Sequence, residues 1–340
     1  MNALALQYPP VSGGFPAILP QEETADPRMW LRSLSLERLR AAADRVRQRA
    51  VGTRVFLRGL VEFSSYCRCN CLYCGLRRDN KNLARYRLSD ADILAAARRA
   101  AKEGMDTVVL QSGEDPANTR ERIARLVGMI KNETGLAVTL SLGNRSTASY
   151  RTWKRAGADR YLLKHETADP RLYALLHPGD TLARRLDALR RLRDLDYETG
   201  TGFIVGLPGQ TDEILRRDVE LVRKLEVRMC GAGPFLPQRD TPLAAASPGS
   251  AETTLKIMAL LRLRVPGLNI PVTTALASLI PQEGHRLALE AGANVIMPGF
   301  TPDGQRAHYR IYDGKARVDS ISARTAITSA MRTCGPKEDA

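Results

Sequence analysis

The stretch VFLRGLVEFSSYCRCNCLYCG, residues 55–75, opens as a β-rich run and ends in a loop carrying Cys67, Cys69, Cys71 and Cys74. Its position decides between two architectures. A doubly wound open sheet places a phosphate-binding glycine fingerprint directly after its first strand, and here that place is taken by thiols. Working outward, β-rich runs at 55–63, 107–110, 137–142, 160–163, 202–205, 229–231, 269–274 and 294–297 give eight strand candidates. Helical patterns lie between them at 90–103, 119–132, 148–156, 181–195, 211–225, 251–263 and 283–291, after a first helix at 36–49 for which Ser35 is placed as the cap. Gly104, Gly135, Gly157 and Gly292 fall where a helix must stop before the next strand, a place for left-handed backbone. Eight strands alternating with helices predict an α/β fold, a (β/α)8 barrel of the TIM type, with the site at the C-terminal strand ends where the cysteine loop falls.

Residues 1–34, punctuated by Pro9, Pro10, Gly13, Gly14, Pro16, Pro20 and Pro27, are expected to wrap the outside as irregular chain. The barrel is expected over 35–318, and a C-terminal helix and tail over 319–340. A 340-residue chain with 44% hydrophobic residues supports one large core, and no run approaches the roughly 18 apolar residues of a membrane span. The start of the chain does not read as a secretory signal, so a cytoplasmic location without a membrane partner is expected. The net charge of +14 raises the question of a polyanion partner. Its arginines are spread over many helices rather than gathered into an arm, so nucleic acid is not the expected partner.

Four cysteines within eight residues argue for metal binding over disulfides. Cys67, Cys71 and Cys74 form C-x3-C-x2-C, a spacing that can wrap three corners of an iron–sulfur cube. Three thiolates leave one iron open to a small molecule, whereas structural zinc uses four protein ligands. Recruiting Cys69 as a fourth ligand would make a closed zinc site, but the resulting spacing is tighter than paired zinc knuckles. Tyr73, before the last cysteine, suits either packing or contact with an adenine.

C-x3-C-x2-C with an aromatic before its third cysteine, at the end of a barrel's first strand, resembles the radical S-adenosylmethionine (SAM) enzymes. The segments CLYCGLRRDNKNLA (71–84), VLQSGEDPA (109–117), VTLSLGN (138–144), GADRYLLKHETADPR (157–171), GLPGQTD (206–212), GPFL (233–236), PVTTAL (271–276) and GANVIMPG (292–299) resemble, more narrowly, the HydE-type maturases of [FeFe]-hydrogenase. The resemblance runs from about residue 35 to 315. It implies one [4Fe–4S] cluster on Cys67, Cys71 and Cys74, with SAM on the open iron. Further contacts to SAM are implied at Tyr73, Ser112, Ser141, Glu166, Arg185 and Met229. The matching substrate pocket is Arg58, Gln111, Thr139, Lys164, Thr273, Thr274, Tyr309 and Tyr312. An organometallic iron–cysteine substrate, a low-potential electron donor and other hydrogenase maturation proteins are the implied partners.

The residues alone allow blander readings: an ion pair between Glu166 and Arg185, core packing for Met229, sheet-forming threonines, and a purely structural LPGQT turn into a capped helix. His177 and His285 fall in helical surface patterns and receive no role. Two features depart from the family. Lys164 stands where arginine is frequent and lacks its planar fork, and the C-terminal region holds only Cys334, too few thiols for the second cluster that some members carry. The competing functions are a radical SAM amino-acid mutase resembling methylornithine synthase, a biotin synthase-like enzyme, or a non-catalytic metal-stabilised protein binding a polyanion.

Overall fold

The computed structural model describes residues 30–334; most of the wrap expected over 1–34 (residues 1–29) and the end of the tail (335–340) lie outside the described residues, and Trp30–Ser33, within the expected irregular wrap, is a short helix. The strands are β1 (Arg54–Ser64), β2 (Thr107–Ser112), β3 (Ala137–Ser141), β4 (Arg160–Leu162), β5 (Glu198–Val205), β6 (Met229–Pro234), β7 (Val295–Ile296) and β8 (Thr333–Cys334). All their pairings are parallel, in the order β6-β5-β4-β3-β2-β1-β7. Sequential neighbours through β6, with β7 returning beside β1, give the singly wound path of a barrel. A doubly wound sheet would reverse direction in mid-sheet.

The run expected as a seventh strand, 269–274, is not a regular strand. Asn269 bridges Met229, and Pro271 bridges Val295. The amide of Cys230 donates to the Asn269 carbonyl (3.0 Å), and that of Val272 donates to the Val295 carbonyl (2.9 Å). The segment therefore spans the gap between β6 and β7 and closes the ring. Pro271 has no N–H for a ladder, and Thr273 already caps the helix Thr274–Leu279. β8 pairs the opening residues of β1, Arg54 with Thr333 and Val55 with Cys334, and leaves the ring unaltered.

Period-two alternation sorts the strand residues. Val108, Leu110, Val138, Leu140, Tyr161 and Phe203 join the apolar layer under the helices, while the residues between them line the interior. Helix starts follow the sequence closely: Ser35, Thr119, Thr181, Thr211 and Ser250 each accept an amide hydrogen bond from the first turn. Ser89 and Asp92 form a capping box. The four glycines expected at helix ends all have positive φ. Four short helices escaped the periodicity, Trp30–Ser33, Pro170–Leu176, Thr274–Leu279 and Asp303–Arg306. Pro170–Leu176 is short, begins with a proline after its Asp169 cap, and precedes the helix Leu182–Arg193. Among the described residues no helix is long and apolar enough to cross a membrane.

Between β3 and β5 the outer layer holds an aromatic cluster. Trp153 is 1% exposed, lies parallel to Tyr161 with centroids 6.3 Å apart, and donates its indole N–H to the Arg120 carbonyl (2.9 Å). Trp153→Ala is expected to destabilise the metal-free protein by about 3–5 kcal/mol, read as a lowered urea midpoint.

Candidate functional site

The cysteine loop leaves β1 at Ser64 and is fixed chiefly by main-chain contacts. The amide of Gly113 donates to the Ser64 carbonyl (3.2 Å) and that of Arg68 to the Glu114 carbonyl (3.1 Å), while the amides of Glu114 (3.3 Å) and Cys69 (3.4 Å) donate to Cys67 Sγ. A Cβ at position 113 would lie 2.3 Å from the Tyr66 carbonyl oxygen and 2.7 Å from Cys67 Cβ. Glycine is therefore required where the β2 turn meets the loop. On the far side, the Arg85 guanidinium donates to the carbonyls of Ser65 (2.7 Å), Leu76 (3.2 Å), Arg77 (2.7 Å) and Asn80 (3.2 Å). One side chain thus gathers the ends of the loop.

The thiols sit close enough to interact. Hydrogen bonding from Cys69 draws the Cys67 thiol down to about 7, against the opposing effect of burial. Burial, and then Cys67, push Cys74 up to about 12. Cys71 is raised by burial and by Cys74 and Cys67. Among the described residues no three Cys, His, Asp or Glu side chains are gathered tightly enough for a single metal ion. Amide donors on a sulfur are the means by which proteins stabilise cluster thiolates. The donor set fits a thiolate-bound cluster better than a structural zinc ion.

Beside Cys69 and Cys71 opens a cleft of about 370 Å³, bounded by Glu114, Asn144, His177, Asp180 and Arg185. Arg185 is 8% exposed; its Nε donates to Tyr173 Oη (3.0 Å), and its Nη2 stands 3.5 Å from Asp180 Oδ2. Glu166 follows β4 with φ 65°, a left-handed backbone that costs a non-glycine residue energy. Its main chain is tied to β5 on both sides, from its own amide to the Gly202 carbonyl (3.0 Å) and from the Ile204 amide to its carbonyl (3.0 Å). Its Oε2 is buried without a hydrogen bond, 3.5 Å from Lys164 Nζ. Burial opposes ionisation of this carboxyl, yet Lys164, followed by His177 and Arg185, holds it below its ordinary value. Glu166 and Arg185 are therefore not paired with each other, and each keeps its charge with a different partner. Behind Glu166, the buried Asp218 accepts from the Ala168 amide and from Nε2 of Gln210 in the LPGQT turn (3.2 Å), and lies 3.6 Å from Nε2 of the buried His165.

Tyr73 and His177 close the inner wall. Tyr73 Oη and His177 Nε2 are 2.8 Å apart, and His177 stacks on Tyr173 with centroids at 4.1 Å. His177 is 4% exposed, so the expectation of a surface histidine is corrected: the tight turn after Leu176 carries its ring inward. Sequence periodicity also gave no sign of Glu114, Tyr173, Asp180 or Arg68, all near the cleft. The HPGD turn at 177–180, soon after Glu166, was the available signal. Ser112 is already engaged, accepting from Asn118 Nδ2 (3.2 Å) and donating to the Gly113 carbonyl (2.7 Å). Ser141 faces inward at the end of β3, paired in register with Gln111.

The interior residues form linked pairs. Arg58 Nη1 donates to Met229 Sδ (3.1 Å), which groups Met229 with the inner barrel. Thr139 Oγ1 is buried without a hydrogen bond. A strap over 307–316 crosses the barrel mouth, where Tyr309 Oη accepts from Gln111 Nε2 (3.3 Å) and Tyr312 Oη donates to Thr274 Oγ1 (2.8 Å). Its Lys315 makes a buried ion pair with Glu62 and lies 4.9 Å from the centre of the Tyr309 ring. The strap is tied to the cysteine loop: the Gly75 amide donates to the Ile311 carbonyl (3.0 Å), and a Cβ on Gly75 would lie 2.0 Å from the Arg310 carbonyl oxygen. Thr273 serves as a helix cap, not as a sheet former.

A model of the Radical SAM superfamily matches residues 61–222. The [FeFe] hydrogenase maturase subunit HydE of Thermotoga maritima is 49% identical over 282 residues, covering 83% of this chain and 80% of that protein. The chain belongs to the radical SAM superfamily. The 3-methylornithine synthase of Methanosarcina barkeri is 32% identical over 287 residues, covering 82% of this chain and 79% of that enzyme. The crystal structure of methylornithine synthase PylB superposes with a TM-score of 0.81 at 30% identity, covering 90% of this chain and 92% of that one. The hydrogenase maturase HydG, at 17% identity and a TM-score of 0.73 over 86% of this chain and 69% of its own, shares the fold. The protein is accordingly a radical SAM enzyme, and its cofactors are a [4Fe–4S] cluster and SAM. The reading as a non-catalytic metal-stabilised protein binding a polyanion is set aside.

Two outcomes test this geometry. Gly113→Ala is expected to lower bound iron and sulfide after anaerobic reconstitution by more than about half while leaving far-ultraviolet circular dichroism unchanged. Asp115 anchors the same turn: it accepts from Arg87 Nε (2.7 Å) and Nη2 (3.0 Å) and from Ser64 Oγ (2.6 Å). Burial works against its ionisation, but those donors hold it below the ordinary carboxylate value. Its contribution is full above the unfolded-state value near 4 and is lost as pH falls through the lower folded value. Urea midpoints measured below pH 4 should fall less steeply in Asp115→Asn than in the parent.

Proposed function

We propose that this enzyme acts in assembly of the diiron site of [FeFe]-hydrogenase, directing a 5'-deoxyadenosyl radical at a cysteine-bound iron carbonyl cyanide precursor. The observation carrying this reading is the 49% identity to the Thermotoga maritima HydE subunit across 83% of the chain. In the proposal, Cys67, Cys71 and Cys74 hold the cluster. When bound, it supplies the single electron that splits the SAM sulfonium into methionine and the radical.

Arg185, held by Tyr173 and Asp180, suits the carboxylate of an amino-acid moiety, and the unsatisfied oxygen of Glu166 suits its ammonium. Tyr73, anchored by His177, gives the loop an aromatic wall. Ser112 and Ser141 complete the SAM contacts, whereas Met229 opens β6 at the end of the strand away from the cysteine loop and is bonded to Arg58, so it is not among them. Arg58, Gln111, Thr139, Lys164, Thr273, Thr274, Tyr309 and Tyr312 line the substrate chamber, which the strap covers. The burial of Thr139 Oγ1 without a partner supports a polar guest there. The setting is cytosolic, with a low-potential electron donor and companion maturation proteins.

The TM-score of 0.81 to PylB favours a second reading, an amino-acid mutase resembling methylornithine synthase. Anaerobic reconstitution with iron and sulfide, followed by dithionite and SAM, separates them. The maturase reading expects 5'-deoxyadenosine whose rate rises with a cysteine–iron carbonyl cyanide complex; a rise with free amino acids alone would favour the mutase. Replacing Cys67, Cys71 or Cys74 by alanine should abolish cleavage. Glu166→Gln and Arg185→Lys should each weaken SAM binding about tenfold or more, or about 1.4 kcal/mol, measured by calorimetry.

A further inference from the structure

Around the cleft beside the cysteine loop, arginines outnumber carboxylates. The cleft and an adjoining hollow of about 410 Å³ are bounded by Arg68, Arg78, Arg145, Arg184, Arg185 and Arg191, against only two acidic side chains, Glu114 and Asp180. The side chains of Arg68, Arg78 and Arg184 are 59%, 62% and 70% exposed. Each is engaged in an ion pair: Arg68 with Glu114 (3.1 Å), Arg78 with the exposed Asp79 (3.3 Å), Arg184 with Asp180 (3.7 Å) and Arg191 with Asp187, so four carboxylates offset part of the charge of six guanidinium groups. Arg145 spends its guanidinium on the carbonyls of Leu142 (3.2 Å) and Asp115 (3.1 Å). A net positive face therefore lies at Cys69 and Cys71, the side on which the thiol loop meets solvent.

We infer that this arginine face is the docking surface for an acidic protein electron carrier that reduces the cluster. The inference rests on the assignment of the cluster to Cys67, Cys71 and Cys74. Reductive SAM cleavage consumes one electron per turnover, and that electron must enter from outside the chain. A carrier such as flavodoxin balances the step: its anionic flavin hydroquinone loses one electron to become the neutral semiquinone, the cluster gains it in passing from 2+ to 1+, and no proton moves. Opposed charge guides such encounters and orients the redox groups within a Debye length of about 10 Å. A nucleic acid would ask for a basic track continuing along the surface, whereas the arginines named here flank one cleft and its adjoining hollow.

The test compares the reconstituted holoenzyme with the double variant Arg78→Glu/Arg184→Glu. Flavodoxin binding, followed by calorimetry, should weaken about tenfold between 50 and 300 mM salt in the parent and fall at least tenfold in the variant at low salt. Flavodoxin-driven formation of 5'-deoxyadenosine should fall with it, while dithionite-driven formation stays within about twofold. Salt-independent flavodoxin binding, equal binding by the variant, or tighter binding of a duplex oligonucleotide than of flavodoxin would overturn the inference. Loss of the dithionite-driven reaction in the parent itself would instead indict the cluster assignment.

Discussion

The close approach of the β2 turn to the cysteine loop is the constraint on which the site depends. Amide-to-carbonyl and amide-to-sulfur bonds place Cys67 against Gly113 and Glu114, and they form only because position 113 carries no side chain. The neighbouring Gly143, with φ +73°, makes the same allowance for Glu114, whose Cγ would lie 2.2 Å from a Cβ there. Main-chain bonds are indifferent to rotamer, so the thiols are presented by the barrel itself. Three strand ends thereby act as one rigid frame before any cofactor arrives.

The order of the barrel was legible because its signals are local: alternating apolar runs, a cap at Ser35 and left-handed glycines at helix ends. What escaped was set by tertiary pairing. The apolar content of 269–274 reads as strand, yet ring closure needs only bridges there, and Thr273 and Thr274 are claimed by a helix start. Missed helices such as Pro170–Leu176 are too short to display a period.

At the site, the thiol trio could be read from its spacing, whereas Glu166 was reached only through the family resemblance. His177 could not be read, since a lone histidine beside a helix has no periodic signature of burial; its ring was drawn inward by Tyr73 and Tyr173. Nor could the sequence separate Glu166 from Arg185. Their choice of Lys164 and Asp180 as respective neighbours leaves an anion and a cation facing one region without cancelling each other. That arrangement suits a zwitterion, and it is decided by backbone placement, above all by the left-handed turn at Glu166.

The strap across the barrel mouth carries a mechanical corollary. Because the Gly75 amide, one residue beyond Cys74, finds its acceptor on Ile311, the cover of the chamber and the sulfur loop share a hinge pin. The lining of the chamber and the seat of the third thiol are thus joined by one main-chain bond.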